Sequence, residues 1–349
     1  MNTKIYGTIG PACQDTDTLV RLFEKGMTGI RLNLSHSSLA DASEWLSHIR
    51  EAHARWQEKC PGAQGHSPEL LIDLRGPELR IGSFDGEWNL MEGKRTVLTA
   101  GRDGSCASAR ELPVPEMILE HLSVGQEVLL NDGKILLKIE EICRDKNRYY
   151  ANCVVLRGGN ISGGKSIALP GIRLRPPVLT ESDRMNIREA KACGVTGVML
   201  PFVRDKEDLI KLKEDLIKEK SEHIRIFAKI EDMEGVQRLP ELLPYCDEVV
   251  IARGDLGNAM PLWELPVVQA QIAAQCRRAG KAFLVVTQML ASMEHAAVPT
   301  RAEVSDIFRA ICDGAASVML TGETAIGKYP VEAMEYLVNT VREAERYRP

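Results

Sequence analysis

Eight short apolar runs, nearly all followed by a stretch of helical period, constrain the fold of this chain more than any other feature. The runs span 3–9, 29–33, 70–74, 197–201, 224–231, 249–252, 283–287 and 317–321. They are rich in aliphatic and β-branched residues and apolar on both sides, the pattern of parallel strands buried on both faces. Between them, residues 18–25, 39–59, 181–192, 206–220, 267–279, 302–312 and 331–346 carry apolar side chains at helical spacing. Helix start signals agree. Thr180 precedes Glu181-Ser182-Asp183, and Thr300-Arg301-Ala302-Glu303 has the spacing of a capping box. Eight strand–helix units in sequence predict an α/β chain folded as a (β/α)8 barrel.

One interval breaks the rhythm. From 83 to 174 the helical period disappears, and strand-like pieces at 95–99, 127–130, 135–142 and 149–156 alternate with turns such as Asn131-Asp132-Gly133. This pattern predicts a small β-barrel domain inserted after the third barrel strand, with 1–82 and 175–349 forming the large barrel. Those 257 residues are close to the ~250 typical of such barrels.

Composition narrows the class. The 349 residues are 44% hydrophobic and 27% charged, the balance of a folded protein and not of a disordered chain. A net charge of −5 and an aromatic fraction of 5% offer neither a basic surface nor stacking platforms for nucleic acid. No apolar run approaches the ~20 residues of a membrane helix, and the N-terminus enters a strand pattern without a signal-peptide core. The nine cysteines are dispersed with no CxxC pair, as expected of small buried side chains in a reducing compartment. The expectation is a cytoplasmic protein with small-molecule partners, no nucleic acid and no membrane.

Barrels of this kind build their sites where the strands end, and nearly every strand here ends in polar residues. Arg31, Asn33, Ser35 and His36 close the second; Asp73, Arg75, Glu78 and Arg80 the third; Lys229 and Glu231 the fifth. Arg253 and Asp255 follow the sixth, Thr287 and Gln288 the seventh, and Thr321, Glu323 and Thr324 the eighth. A lone lysine would read as a snorkelling surface residue, and some rim charges are structural ion pairs. Repetition on strand after strand points instead to a site. Lys229 and Glu231 are two residues apart, so they face one side of their strand. Glu231 and Asp255, from neighbouring strands, form a sparse carboxylate pair that suits magnesium, which takes its other ligands from water and substrate. A lysine beside such a metal suits stabilisation of negative charge on a transferring phosphoryl group or an enolate. Asn33, Ser35 and Asp73 offer an oxygen cluster for a hard monovalent cation, and Arg31 and Arg80 suit bidentate phosphate contacts. Spacing alone points to a metal-assisted phosphate or enolate enzyme without naming its substrate.

The strings TKIYGTIGPA, GMTGIRLNLSH, LIDLRGPELRIG, NDGKILL, LPGIRLRPPVLTESD, AKIEDMEGV, ARGDLG, RAGKAFLVVTQML, PTRAEVSD and MLTGETAIGKYPVEA resemble the pyruvate kinases, in that family's order and through the inserted interval. The resemblance implies phosphoryl transfer from phosphoenolpyruvate to ADP, giving ATP and, after protonation of the enolate, pyruvate. It implies catalytic roles for Lys229, Arg31 and Thr287, and a substrate site at Ala252, Arg253, Gly254, Asp255 and Thr287. It implies magnesium or manganese on Glu231 and Asp255, and potassium on Asn33, Ser35, Asp73 and the Leu74 carbonyl. Nucleotide contacts are implied at Pro11, Asn33, His36, Arg80 and Lys165, and a water-excluding lid in the inserted domain. A glutamate at position 78 accompanies potassium dependence in the family; alternatively, Glu78 pairs with Arg75 or Arg80 at the rim.

Three departures from the family pattern matter. Family members continue past the last barrel helix into a further α/β domain, whereas this chain stops at Pro349; the expectation is a homodimer through the barrel, or a monomer, indifferent to sugar-phosphate effectors. The family's phosphate-contacting lysine is Ile326 here, with Lys328 two residues on, and Lys165-Ser166-Ile167-Ala168 stands where an asparagine is usual before Leu-Pro. The metal and enolate side is intact and the nucleotide side is thinned. Two other readings stay open: a magnesium-dependent aldolase or lyase acting through a pyruvate enolate, and a catalytically weak paralogue with a binding or regulatory role.

Overall fold

The computed structural model describes residues 3–35, 37–60, 67–77, 79–101, 111–131, 133–144, 148–170, 172 and 176–347. His36 and Glu78, both singled out above, lie outside the described residues. The chain divides into two compact units, Met1–Pro77 with Val178–Pro349, and Glu78–Pro177; the sequence pattern put the joints at 82/83 and 174/175.

In the larger unit eight parallel strands close into a barrel. They are β1 Lys4–Thr8, β2 Gly29–Asn33, β3 Glu69–Asp73, β4 Gly197–Leu200, β5 Arg225–Ile230, β6 Glu248–Ala252, β7 Ala282–Val286 and β8 Ser317–Leu320. β1 pairs with β8 and shuts the ring. Both threonine caps form as full capping boxes: Thr180 with Asp183, and Thr300 with Glu303. The helix Met233–Leu242 after β5 escaped the periodicity because Gly235 and Pro240 weaken its local helical preference. Its cap is clear nonetheless, with the Gly235 N–H donating to Asp232 at 2.8 Å. Two short helices, Arg253–Asn258 and Gly322–Ala325, follow β6 and β8 and were also unforeseen.

Alternate residues of a strand face one side, and the inward sides stack in three tiers. At the N-terminal end Arg225 sits between Glu69, at 3.2 Å, and Glu248, at 2.6 Å. Lys4 pairs with Glu69, the Tyr6 hydroxyl donates to Glu69 at 2.5 Å, and the Ser317 hydroxyl donates to Glu248. Two residues further along each strand, Tyr6, Leu71, Met199, Phe227, Val250, Leu284 and Met319 form a buried apolar plug. Two residues beyond that, Thr8, Arg31, Asp73 and Lys229 emerge at the C-terminal mouth. The opposite faces of the strands pack on the helices in a second, larger core.

The smaller unit is β-rich with its own core, in which Leu98, Val128, Leu137 and Cys153 are completely buried. A six-stranded sheet runs Ile167–Ala168, Glu127–Leu130, Ile135–Arg144, Tyr149–Arg157, Arg95–Ala100 and Glu111–Val114, and Glu87–Leu90 pairs with Gly159–Ser162. Between Leu130 and Ile135, Asn131 (φ 51°) and Gly133 (φ 76°) are left-handed, as a tight hairpin connection requires. Among the described residues no helix is long and apolar enough to cross a membrane.

Candidate active site

Lys229 takes the last inward position of β5, and its ammonium organises the mouth. Nζ lies 3.2 Å from Asp73 Oδ2 and 2.8 Å from Glu231 Oε1, with the side chain only 13% exposed. Arg31, from β2, also holds Asp73 Oδ2, through Nη2 at 2.6 Å and Nε at 3.0 Å, and its Nη1 donates to Thr8 Oγ1 at 3.1 Å. One aspartate therefore anchors two cations. Both are held by the chain's own carboxylates.

Burial works against the Lys229 ammonium, but Asp73 and Glu231 outweigh it and hold its pKa above the usual lysine range. Burial also opposes ionisation of Asp73, and Lys229 and Arg31 overcome it, so this carboxyl titrates below its ordinary value. Glu231 goes the other way. Burial, opposed by Lys229 but aided by Asp255 and Asp73, pushes it up to about 7.

The surroundings of Glu231 fit a divalent cation. Oε2 accepts the Phe202 N–H at 2.7 Å, from a residue in the left-handed region at φ 52°. Among the described residues Oε1 is buried with no aligned hydrogen-bond donor, its one close partner being the Lys229 ammonium. A carboxylate fixed at one oxygen, whose other oxygen takes no aligned donor, is suited to a metal. Asp255, exposed on the helix Arg253–Asn258, raises the Glu231 pKa through its charge. Among the described residues no group of three or more His, Cys, Asp or Glu gathers for a metal. Two carboxylates suffice for a hard cation that keeps water and substrate oxygens as its other ligands.

Of the residues implied for a monovalent cation, three are linked at the ends of β2 and β3. Asn33 and Asp73 are register partners in the β2–β3 ladder. Ser35 donates to Asn33 Oδ1 from its N–H at 3.2 Å and its hydroxyl at 2.9 Å, and the Leu74 N–H is taken by the Met199 carbonyl at 3.1 Å.

Across the mouth, β6 ends at Ala252 and Gly254 packs against half-buried Thr287. The Arg253 side chain is taken up by the Thr287 and Gln288 carbonyls and by Asp306. What the 252–254 segment offers a ligand is therefore its backbone, whose first-turn N–H groups have no intrahelical acceptor.

The residues that the resemblance implies for a nucleotide are less concentrated. Pro11 is exposed on a loop that rests on the turn after β8: the Ala12 N–H donates to the Ala325 carbonyl at 2.9 Å, and a Cβ on Gly10 would come within 2.6 Å of that oxygen. The next residue in that turn, Ile326, is 68% exposed. Arg80 and Lys165 belong to the smaller unit, where Arg80 donates to the Gly164 carbonyl at 2.7 Å and the Lys165 carbonyl accepts from Ile81.

Sequence reasoning missed three supports. Asp183 was visible as a capping residue, yet its carboxylate also holds the N–H groups of Arg75 and Gly76 at 2.9 and 3.2 Å. Phe202 contributes its backbone, which leaves no mark in residue type. Asp306 read as one polar residue on a helix face.

A model of the pyruvate kinase barrel domain matches residues 1–334. The pyruvate kinase of Geobacillus stearothermophilus is 38% identical over 334 residues, covering 95% of this chain and 55% of the relative. That of Bacillus licheniformis is 34% identical over 345 residues, 98% and 57% respectively. That of Thermococcus litoralis is 35% identical over 348 residues, 99% and 70%. The chain thus spans little more than half the length of the first two relatives. With a closed barrel carrying Lys229, Glu231, Asp73 and Arg31 at its mouth, and a match along nearly its whole length, this chain belongs to the pyruvate kinase family.

Proposed function

We propose that the protein transfers the phosphoryl group of phosphoenolpyruvate to ADP, giving ATP and pyruvate. The observation that carries this reading is the Lys229 ammonium, buried yet held charged between Asp73 and Glu231 beside Arg31. In the transfer, the bond between phosphorus and the enol oxygen breaks, a bond from an ADP β-phosphate oxygen forms, and the electron pair stays on the enol oxygen. Lys229 meets that oxygen with a charge already in place, which favours the transition state over the ground state. Arg31, whose Nε and Nη2 are held by Asp73, turns its remaining N–H groups to the phosphoryl oxygens. The backbone of 252–254 receives the substrate carboxylate, and Thr287 stands on the side from which the enolate carbon takes its proton.

Glu231 and Asp255 would hold magnesium or manganese, a Lewis-acid charge for the phosphoryl and enol oxygens. Asn33, Ser35, Asp73 and the Leu74 carbonyl would hold potassium. The test is pyruvate formation from phosphoenolpyruvate and ADP in a coupled assay with magnesium and potassium. Turnover is expected; no pyruvate from the folded protein would overturn the reading and leave enolate lyase chemistry on the same residues.

A further inference from the structure

β6 and β7 run in register as far as Ala252 and Val286, and there the ladder stops. Arg253 opens a helix, while Thr287 and Gln288 turn into the left-handed region at φ 80° and φ 53°. Two consecutive non-glycine residues in that region are strained, the more so when the first is β-branched. Such a turn persists only where its surroundings over-determine it. One side chain takes the carbonyls that the ladder abandons. Arg253 donates to the Thr287 carbonyl from Nε at 3.1 Å and Nη2 at 2.7 Å, and Nη2 also reaches the Gln288 carbonyl at 3.2 Å. Nη1 pairs with Asp306 on the helix Arg301–Cys312, which fixes the fork at its far end. The following residue completes the fit, since a Cβ on Gly254 would come within 3.0 Å of Thr287 Cγ2. Beyond the turn, Glu323 accepts the Leu290 N–H at 3.0 Å and Glu303 accepts the Ser292 N–H at 2.8 Å.

We propose that Arg253 is a positioning residue that latches this turn and so fixes the Thr287 hydroxyl at the mouth, acting on the reaction through Thr287 alone. The proposal rests on the function assigned above and goes beyond it. A lysine cannot replace the latch, because a single ammonium cannot span two carbonyls and a carboxylate in one plane.

Arg253→Lys is the direct test, and Asp306→Asn loosens the same latch from its outer end should the first variant fail to fold. Two activities are followed: pyruvate formation from phosphoenolpyruvate and ADP, and exchange of the pyruvate methyl protons for deuterium by NMR. The second reads proton transfer without net phosphoryl transfer, so a failure of the proposed function and a failure of the latch remain distinguishable. We expect kcat and the exchange rate to fall together by about ten- to a hundredfold, the cost of misplacing a reacting group by ~1 Å. The KM for phosphoenolpyruvate should be unchanged, and in a Thr287→Ala background Arg253→Lys should cost nothing further. Unaltered kinetics, a raised KM with unchanged kcat, or a loss that multiplies that of Thr287→Ala would each overturn the proposal.

Discussion

Replacing Arg225 by methionine should destabilise the barrel by about 3 kcal/mol at pH 7, and by much less at pH 5. The guanidinium lies between Glu69 and Glu248 and over the Phe227 ring, 4.7 Å from its centre. Methionine keeps much of the stem and removes the charge. Glu69 retains Lys4 and the Tyr6 hydroxyl. Glu248, 1% exposed, keeps the Ser317 hydroxyl as its donor among the described residues. Stranding a buried charge costs roughly 3–5 kcal/mol, but Glu248 has an escape, since it can take up a proton. Burial already pushes its carboxyl above the ordinary 4.5, against the pull of Ser317 and Arg225. Protonating a carboxyl of ordinary pKa 4.5 at pH 7 spans about 2.5 pH units at ~1.4 kcal/mol each, so this escape costs at most ~3.5 kcal/mol. The sign follows from the raised pKa. Its stabilising contribution is complete below the unfolded value near 4.5 and is lost as the pH rises through the folded value. The penalty should therefore shrink as the pH falls from 7 towards 5. Urea unfolding followed by circular dichroism at pH 5, 6 and 7 measures it, with Arg225→Met/Glu248→Gln alongside. The double variant should regain most of the loss, because no charge is left stranded. A penalty independent of pH, or a double variant as unstable as the single, would show that Arg225 stabilises by packing on Phe227 and refute this account.

Glu231→Gln should abolish pyruvate formation without unfolding the barrel, since glutamine still accepts the Phe202 N–H but is no longer an anionic metal ligand; near-normal turnover at saturating magnesium would contradict it. Lys229→Met should lower kcat by several orders of magnitude while phosphoenolpyruvate still binds, and a change confined to KM would show the role to be wrong. Initial rates should collapse in buffer free of sodium and potassium and recover with potassium or with Glu78→Lys; full activity without any monovalent metal would end the claim. Ile326→Lys should lower the KM for ADP by roughly ten- to a hundredfold, one charge-assisted contact being worth ~1.5–3 kcal/mol. An unchanged KM in that variant would mean that Lys328 already reaches the phosphates.

Residue order alone made legible the barrel strands, their alternation with helices and the polar residues at the strand ends. A strand buried on both faces has to be short, continuous and apolar, so the runs at 29–33 and 317–321 coincide with β2 and β8 to within a residue. Helices were legible where local preference and burial agreed. Met233–Leu242 was not, because Gly235 and Pro240 oppose the helix locally and the burial of Val236, Leu239 and Leu242 secures it. Period two put Lys229 and Glu231 on one side of β5 but could not say what they would meet there. Asp73, which holds Lys229, is 156 residues away in the chain. Lys4, Glu69, Arg225 and Glu248 looked like ordinary charges at strand starts, and ring closure turned them into a network at the N-terminal end of the barrel. Arg253 read as a residue facing substrate until the left-handed turn at Thr287 and Gln288 claimed its guanidinium. Side-chain type and spacing are properties of the chain. Which carboxyl is raised, which lysine stays charged and which turn is strained depend on distances through space, and those distances exist only once the first strand pairs with the last.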